Sequence, residues 1–217
     1  MHWVGTWTAA PAPSVAGQPL SNHTLRLTPR ISLGGETLRV RISNAYGAGN
    51  LQIGAATVGL RERGPAAVPD TLRGLTFGGA GEAVVAAGAY IVSDAVSLEV
   101  PSLADLVVSV FLPQDIPTDF HVTGRYARQT NYISPPGNFA SEVIMPVGKL
   151  TDEWFFVHGI DVLATAETGG IVALGDSLTD ANISTHDTFS RWPDQLARRL
   201  ATRNGGRPFG IMNQGLG

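Results

Sequence analysis

A chain of 217 residues suffices for one large domain or two modest ones, and 43% hydrophobic with 15% charged residues reads as globular rather than disordered. A net charge of −3 leaves no basic footprint for nucleic acid and no polybasic patch for anionic lipid. Without cysteine the chain has no disulfide, thiolate nucleophile or zinc–thiolate site, and no apolar run approaches the ~20 residues a membrane helix needs. The opening Met1–Trp7 has neither a basic n-region nor an apolar h-region. The chain is therefore cytoplasmic if Met1 is the native start, and secreted if a signal peptide has been removed.

Through residues 1–150 the pattern has period two. Thr24–Leu27 is one such run; Leu38, Val40 and Ile42 alternate with Thr37, Arg39 and Arg41; Val96, Leu98 and Val100 alternate with Ser97 and Glu99; Leu106, Val108, Val110 and Leu112 follow. Gly-rich turns separate these runs, with no helical segment between them, so residues 1–150 are expected to form an antiparallel β-sandwich of jelly-roll type. Trp3 and Trp7, four apart, are expected on one core-facing side. His121 reads as a packed structural residue. The cluster Arg125–Tyr132 is rich in groups that recognise sugars or carboxylates, and reads equally as a solvated strand. Residues 151–168, with Trp154, Phe155 and Phe156, are expected to be a packed connection.

The pattern changes at Gly169. Ile171–Leu174 is a continuous apolar run, as for a strand buried on both faces of a parallel sheet. Gly175-Asp176-Ser177-Leu178-Thr179-Asp180 follows at once. Phe189, Trp192, Leu196 and Leu200 then fall on one face of a helix, and Phe209–Asn213 reads as a second buried strand. This is one βαβ unit, and its two loops meet at the carboxyl ends of the strands, where open parallel sheets bind ligands. A serine on a tight turn after a buried strand presents its hydroxyl at that edge. Free N–H groups at 177 and 178 are expected to face an oxyanion, and Asp176 and Asp180 to stabilise the loop by accepting backbone hydrogen bonds.

Gly175-Asp176-Ser177-Leu178 resembles the first signature block of the GDSL, or SGNH, hydrolases, and Arg191–Ala197 resembles a subgroup of bacterial secreted esterases with an N-terminal β-sandwich. Asn213–Gly217 resembles the second block. The resemblance implies a flavodoxin-like α/β/α domain begun at 169–217, a serine esterase or lipase mechanism with Ser177 as nucleophile, and an oxyanion hole made by backbone N–H groups of Ser177 and a second-block glycine. That glycine is Gly217 or the residue after it. No metal and no organic cofactor are implied. The family's later Asn, Asp and His blocks are absent from the chain, so the base is expected from a C-terminal half that is a separate or missing polypeptide. His186 lies near Ser177 in sequence but in a polar loop outside the family's context for a base. The expected substrate is a small ester or an acylated carbohydrate. Two other classes stay open: a glycan-binding sandwich with an inactive hydrolase stub, and a flavin or phosphate binder, which the acidic loop around Ser177 disfavours.

Overall fold

The structure is a computed structural model, and it describes residues 1–13, 20–114, 122–123 (backbone), 127–180, 183–203 and 206–216. The expectations for His121, for Arg125 and Tyr126, and for Gly217 lie outside the described residues.

The longer strands, in chain order, are β1 (His2–Thr8), β2 (His23–Leu27), β3 (Gly35–Ser43), β4 (Ala55–Arg63), β5 (Val96–Val100) and β6 (Leu106–Leu112). After them come β7 (Asn131–Pro136), β8 (Lys149–Thr151), β9 (Val157–Ala164), β10 (Gly169–Gly175) and β11 (Phe209–Gly215). The fold is predominantly β. One antiparallel sheet runs β1-β9-β3-β5, and a second runs β8-β7-β2-β6-β4. They form a sandwich whose core holds Leu38, Val40, Ile42, Ile160 and Val162 from the first sheet and Leu25, Leu27, Val108, Val110 and Leu112 from the second. The alternation read in β5 is observed directly: Val96, Leu98 and Val100 are buried, Ser97 and Glu99 exposed. Among the described residues no helix is long and apolar enough to cross a membrane.

Three expectations are corrected. The segment 151–168 is not outside the sandwich, because its residues 157–164 are β9, an inner strand between β1 and β3. Register shifts between Val157 and Gly159, and that irregularity hides the period-two pattern. Trp154, Phe155 and Phe156 are buried, and Trp154 meets Trp7 edge-to-face with centroids 4.9 Å apart. Trp3 and Trp7 do not share a face. The register of β1 shifts between Gly5 and Trp7, so Trp7 enters the core while Trp3 lies half-buried under the guanidinium of Arg39, 4.4 Å from its ring centre. In the C-terminal helix, α2 (Trp192–Ala201; α1 is Ser177–Asp180), the buried stripe is Pro193 and Ala197, one position away from the expected Trp192, Leu196 and Leu200. These small side chains let the helix approach the cavity they share with Thr8, Ser32, Leu103 and Ile211.

Two polar groups organise the sandwich. Arg26 is wholly buried and donates to Ser109 Oγ (2.8 Å) and to the carbonyls of Pro65 (2.7 Å) and Glu142 (2.7 Å), tying the loop around residue 142 to the second sheet. Burial lowers its guanidinium to about 10, partly offset by Glu142, so it keeps its charge near neutrality. On the first sheet, buried Asp161 accepts from Arg39 Nε (2.9 Å) and Arg41 (2.7 Å).

Beside that triad, burial and then Arg41 push the imidazole of His158 down to about 4, against a smaller opposing pull from Asp161. A histidine whose folded value lies below its unfolded one (about 6.5) stabilises the fold above that unfolded value, and the contribution is lost as pH falls toward 4. We expect His158 to account for on the order of 2–3 kcal/mol of acid destabilisation between about pH 6.5 and 4. Denaturant unfolding of the wild type and His158→Gln across this range checks it: the variant's curve should be flatter, and parallel curves would contradict the assignment.

Candidate active site

Strands β10 and β11 pair in parallel and in register from Gly169↔Phe209 to Gly175↔Gly215, and the ladder closes with Leu216 N–H donating to Gly175 O (2.9 Å). One face of β10 is left open, contrary to the expectation of a strand buried on both faces. Ala173 and Ile211 are buried, whereas Val172 and Leu174 are exposed. The sandwich supplies the reason, since it packs chiefly on β11 and touches β10 only near Gly170, beside Val4. Gly210 lies against the Gly5 carbonyl and Val4, and Met212 lies on Gly5. Val172 and Leu174 project past that contact.

Ser177 begins the short helix α1 directly after β10. The Asp176 side chain caps this turn, its Oδ1 accepting from Leu178 N–H (3.0 Å), while its carbonyl accepts from Thr179 and Asp180 N–H (3.0 Å each). Asp176 Oδ1 thus accepts a backbone hydrogen bond within the turn. The cap also engages the Leu178 N–H, which was expected to be free for an oxyanion. Asp180 contributes differently. Its backbone carbonyl accepts from Asn213 Nδ2 (3.2 Å), and its carboxyl group is raised by burial, with Arg191 lowering it and Asp152 raising it further.

Asn213 joins the two loops. Its Nδ2 also donates to Thr179 O (2.8 Å), and its Oδ1 accepts from Gly215 N–H (2.9 Å). Trp192 Nε1 donates to Thr179 Oγ1 (3.2 Å), so α2 holds the same turn from the other side. The glycines are spatial requirements. A Cβ on Gly175 would collide with the Thr179 side chain, and one on Gly215 would collide with the backbone of Asp180.

Ser177 is half-buried beside the exposed Leu178. Among the described residues no histidine is hydrogen-bonded to it. His23 Nδ1 pairs with Ser21 O (2.6 Å), and His158 is on β9. His186 stands between Asp152 (3.5 Å) and Asp187 (3.0 Å). Three residues beyond the expected set shape the site. Asn213 is the clamp between loops. Arg191, almost fully buried, donates to Ala127 O of the sandwich, and Asp187 is bound by Thr130. Asn213 stood in a recognised block, but a bond to the turn after a different strand is not written in its local sequence.

No protein-family model matches this chain, and no curated protein matches it.

Close packing of the two loops makes Gly215 a sensitive position. Gly215→Ala should destabilise the β10–β11 unit by on the order of 2 kcal/mol, because the obstacle is backbone and cannot rotate away. Hydrogen exchange of peptides covering 169–175 and 209–215 reads this. Gly81→Ala, where a Cβ meets nothing within 4 Å, serves as the neutral comparison.

Proposed function

We propose that the chain carries the nucleophile of a serine carboxylic ester hydrolase, Ser177, on the first βαβ unit of a flavodoxin-like sheet. The observation that carries this reading is the strand–turn–helix around Ser177, fixed to the end of β11 through Asn213. That arrangement sets a hydroxyl and the turn's backbone at the carboxyl edge of a parallel sheet, where an ester carbonyl has access. In this mechanism Ser177 Oγ attacks the carbonyl carbon, a histidine takes its proton, and backbone N–H groups hold the tetrahedral oxyanion until the alcohol departs with that proton. With Leu178 N–H engaged by Asp176, the reading draws its donors from Ser177 N–H and from the glycine-rich turn after β11.

The base belongs, in this reading, to a further part of the hydrolase, separate or missing. The outer edge of β10 suits its attachment. The ladder with β11 turns the backbone groups of Gly170, Val172 and Leu174 outward, and these residues are exposed. The substrate is a small ester or an acylated carbohydrate.

The expected result with a fluorophosphonate probe is labelling of Ser177 and none of the Ser177→Ala protein. Ester turnover by the isolated chain should fall ~10²–10⁴-fold below an ordinary enzyme for want of the base. Labelling at another residue, or full activity in the alanine variant, removes the proposal.

A glycan-binding sandwich is the second reading. It is favoured by an open groove of about 580 Å³ in which the half-buried Phe111 ring lies among Gln52, Glu82, Gln114 and Asn138. An aromatic face with amide and carboxylate neighbours suits a sugar ring. Calorimetry with a panel of plant and bacterial polysaccharides, using Phe111→Ala as the control, tests it; heats unchanged by the substitution count against it.

A further inference from the structure

The segment between α1 and α2 is held to the sandwich by a compact polar junction. Asp187 accepts from Thr130 N–H (2.7 Å) and Thr130 Oγ1 (2.7 Å), and its own N–H donates to Arg128 O (3.0 Å). Asp152, at the start of the segment leading to β9, accepts from Gln129 N–H (3.3 Å). His186 lies between the two carboxylates, Nδ1 3.0 Å from Asp187 and Nε2 3.5 Å from Asp152, and its side chain is 42% exposed. Arg191 closes the other end of the same segment on Ala127 O.

We propose that His186 is a proton-operated latch that clamps the segment following Ser177 onto the sandwich, closed when the imidazole is charged and loosened when it is neutral.

The reason is a count of donors. A protonated imidazole has two N–H groups, one for each carboxylate, and one positive charge against two negative ones. A neutral imidazole has one N–H. It satisfies a single carboxylate and turns a lone pair toward the other, while Asp152 and Asp187 face each other across it without a counter-charge. Asp180, within electrostatic reach of Asp152, adds to the negative side, and Arg191, beside Asp180, partly balances it. Arg128 belongs to the same sandwich loop. Burial pulls the Asp187 carboxyl upward, but the two Thr130 bonds and His186 together hold it below the ordinary carboxylate value. The Asp187 carboxylate therefore stays ionised into acid and remains available to the imidazole.

The consequence for the Ser177 turn is mechanical. Residues 183–191 connect α1 to α2, so loosening their hold on Thr130 and Asp152 frees the span between the turn and the helix that braces it through Trp192. The inference rests on this geometry and holds whether or not Ser177 is a nucleophile.

Hydrogen-exchange mass spectrometry of the whole chain at pH 5.5 and 8.0, corrected for the intrinsic pH dependence of exchange, tests it on peptides covering 127–131 and 183–191. Wild-type protection in both should fall by about two- to fivefold at the higher pH, the range of one partly exposed ion pair, whereas β3 and β9, which His158 destabilises in acid, should lose no protection at the higher pH. In His186→Gln the difference between the two pH values should vanish, and in Asp152→Asn it should shrink. The second variant keeps the test intact should the first fold poorly. Equal wild-type protection at the two pH values, or the same fall in His186→Gln, overturns the proposal.

Discussion

The organisation of the C-terminal part depends on how the outer edge of β11 is satisfied. A parallel strand leaves alternate N–H and C=O groups pointing away from its partner, and buried without a mate each costs on the order of 1–3 kcal/mol. Here side-chain hydroxyls from the sandwich fill that role. Ser32 Oγ accepts the Ile211 N–H (2.8 Å) and shares its proton between Thr6 O (2.6 Å) and Ile211 O (3.3 Å), while Thr8 Oγ1 donates to Asn213 O (2.7 Å). The sandwich thus stands where a neighbouring strand would otherwise lie. Among the described residues one edge of the parallel pair is closed by the sandwich, and the outer edge of β10 pairs with no strand.

The same junction explains why the region around Ser177 is built from small residues and backbone contacts. Gly210 against Gly5, Gly175 against Thr179, and Gly215 against Asp180 are approaches that no Cβ fits. They bring β1, the Ser177 turn and the end of β11 close enough for Asn213 to bridge them. Rigidity at the turn follows from this density of short connections rather than from the four-residue helix, which is too short to hold itself. Charge is handled likewise. Asp161, Arg26 and Arg191 are buried with partners from distant segments, so each fixes a loop as well as satisfying itself.

Much of the fold was legible locally. Strict alternation in residues 37–42 and 96–100 marked strands with one wet face, and the glycine-bounded run at 169–175 marked the change to a parallel unit. Where the local reading failed, a specific irregularity intervened. The extra residue at Thr6 turned Trp3 away from Trp7, and the bulge near Gly159 disguised an inner strand as a connection. The stripe of α2 was misplaced because the sequence gives hydrophobicity, whereas the narrow space beside Ser32 and Leu103 selects for size and takes Pro193 and Ala197.

The sequence by itself determined the sandwich's alternating strands, the βαβ order and the position of Ser177 on a turn, because each depends on contacts within a few residues. Only the tertiary structure decided which edge of the parallel pair is closed, that Asn213 and Arg191 are clamps, and that His186 sits between Asp152 and Asp187 rather than beside Ser177. These arrangements depend on partners up to 205 positions apart, and a side chain carries no local mark of a partner that only folding brings near.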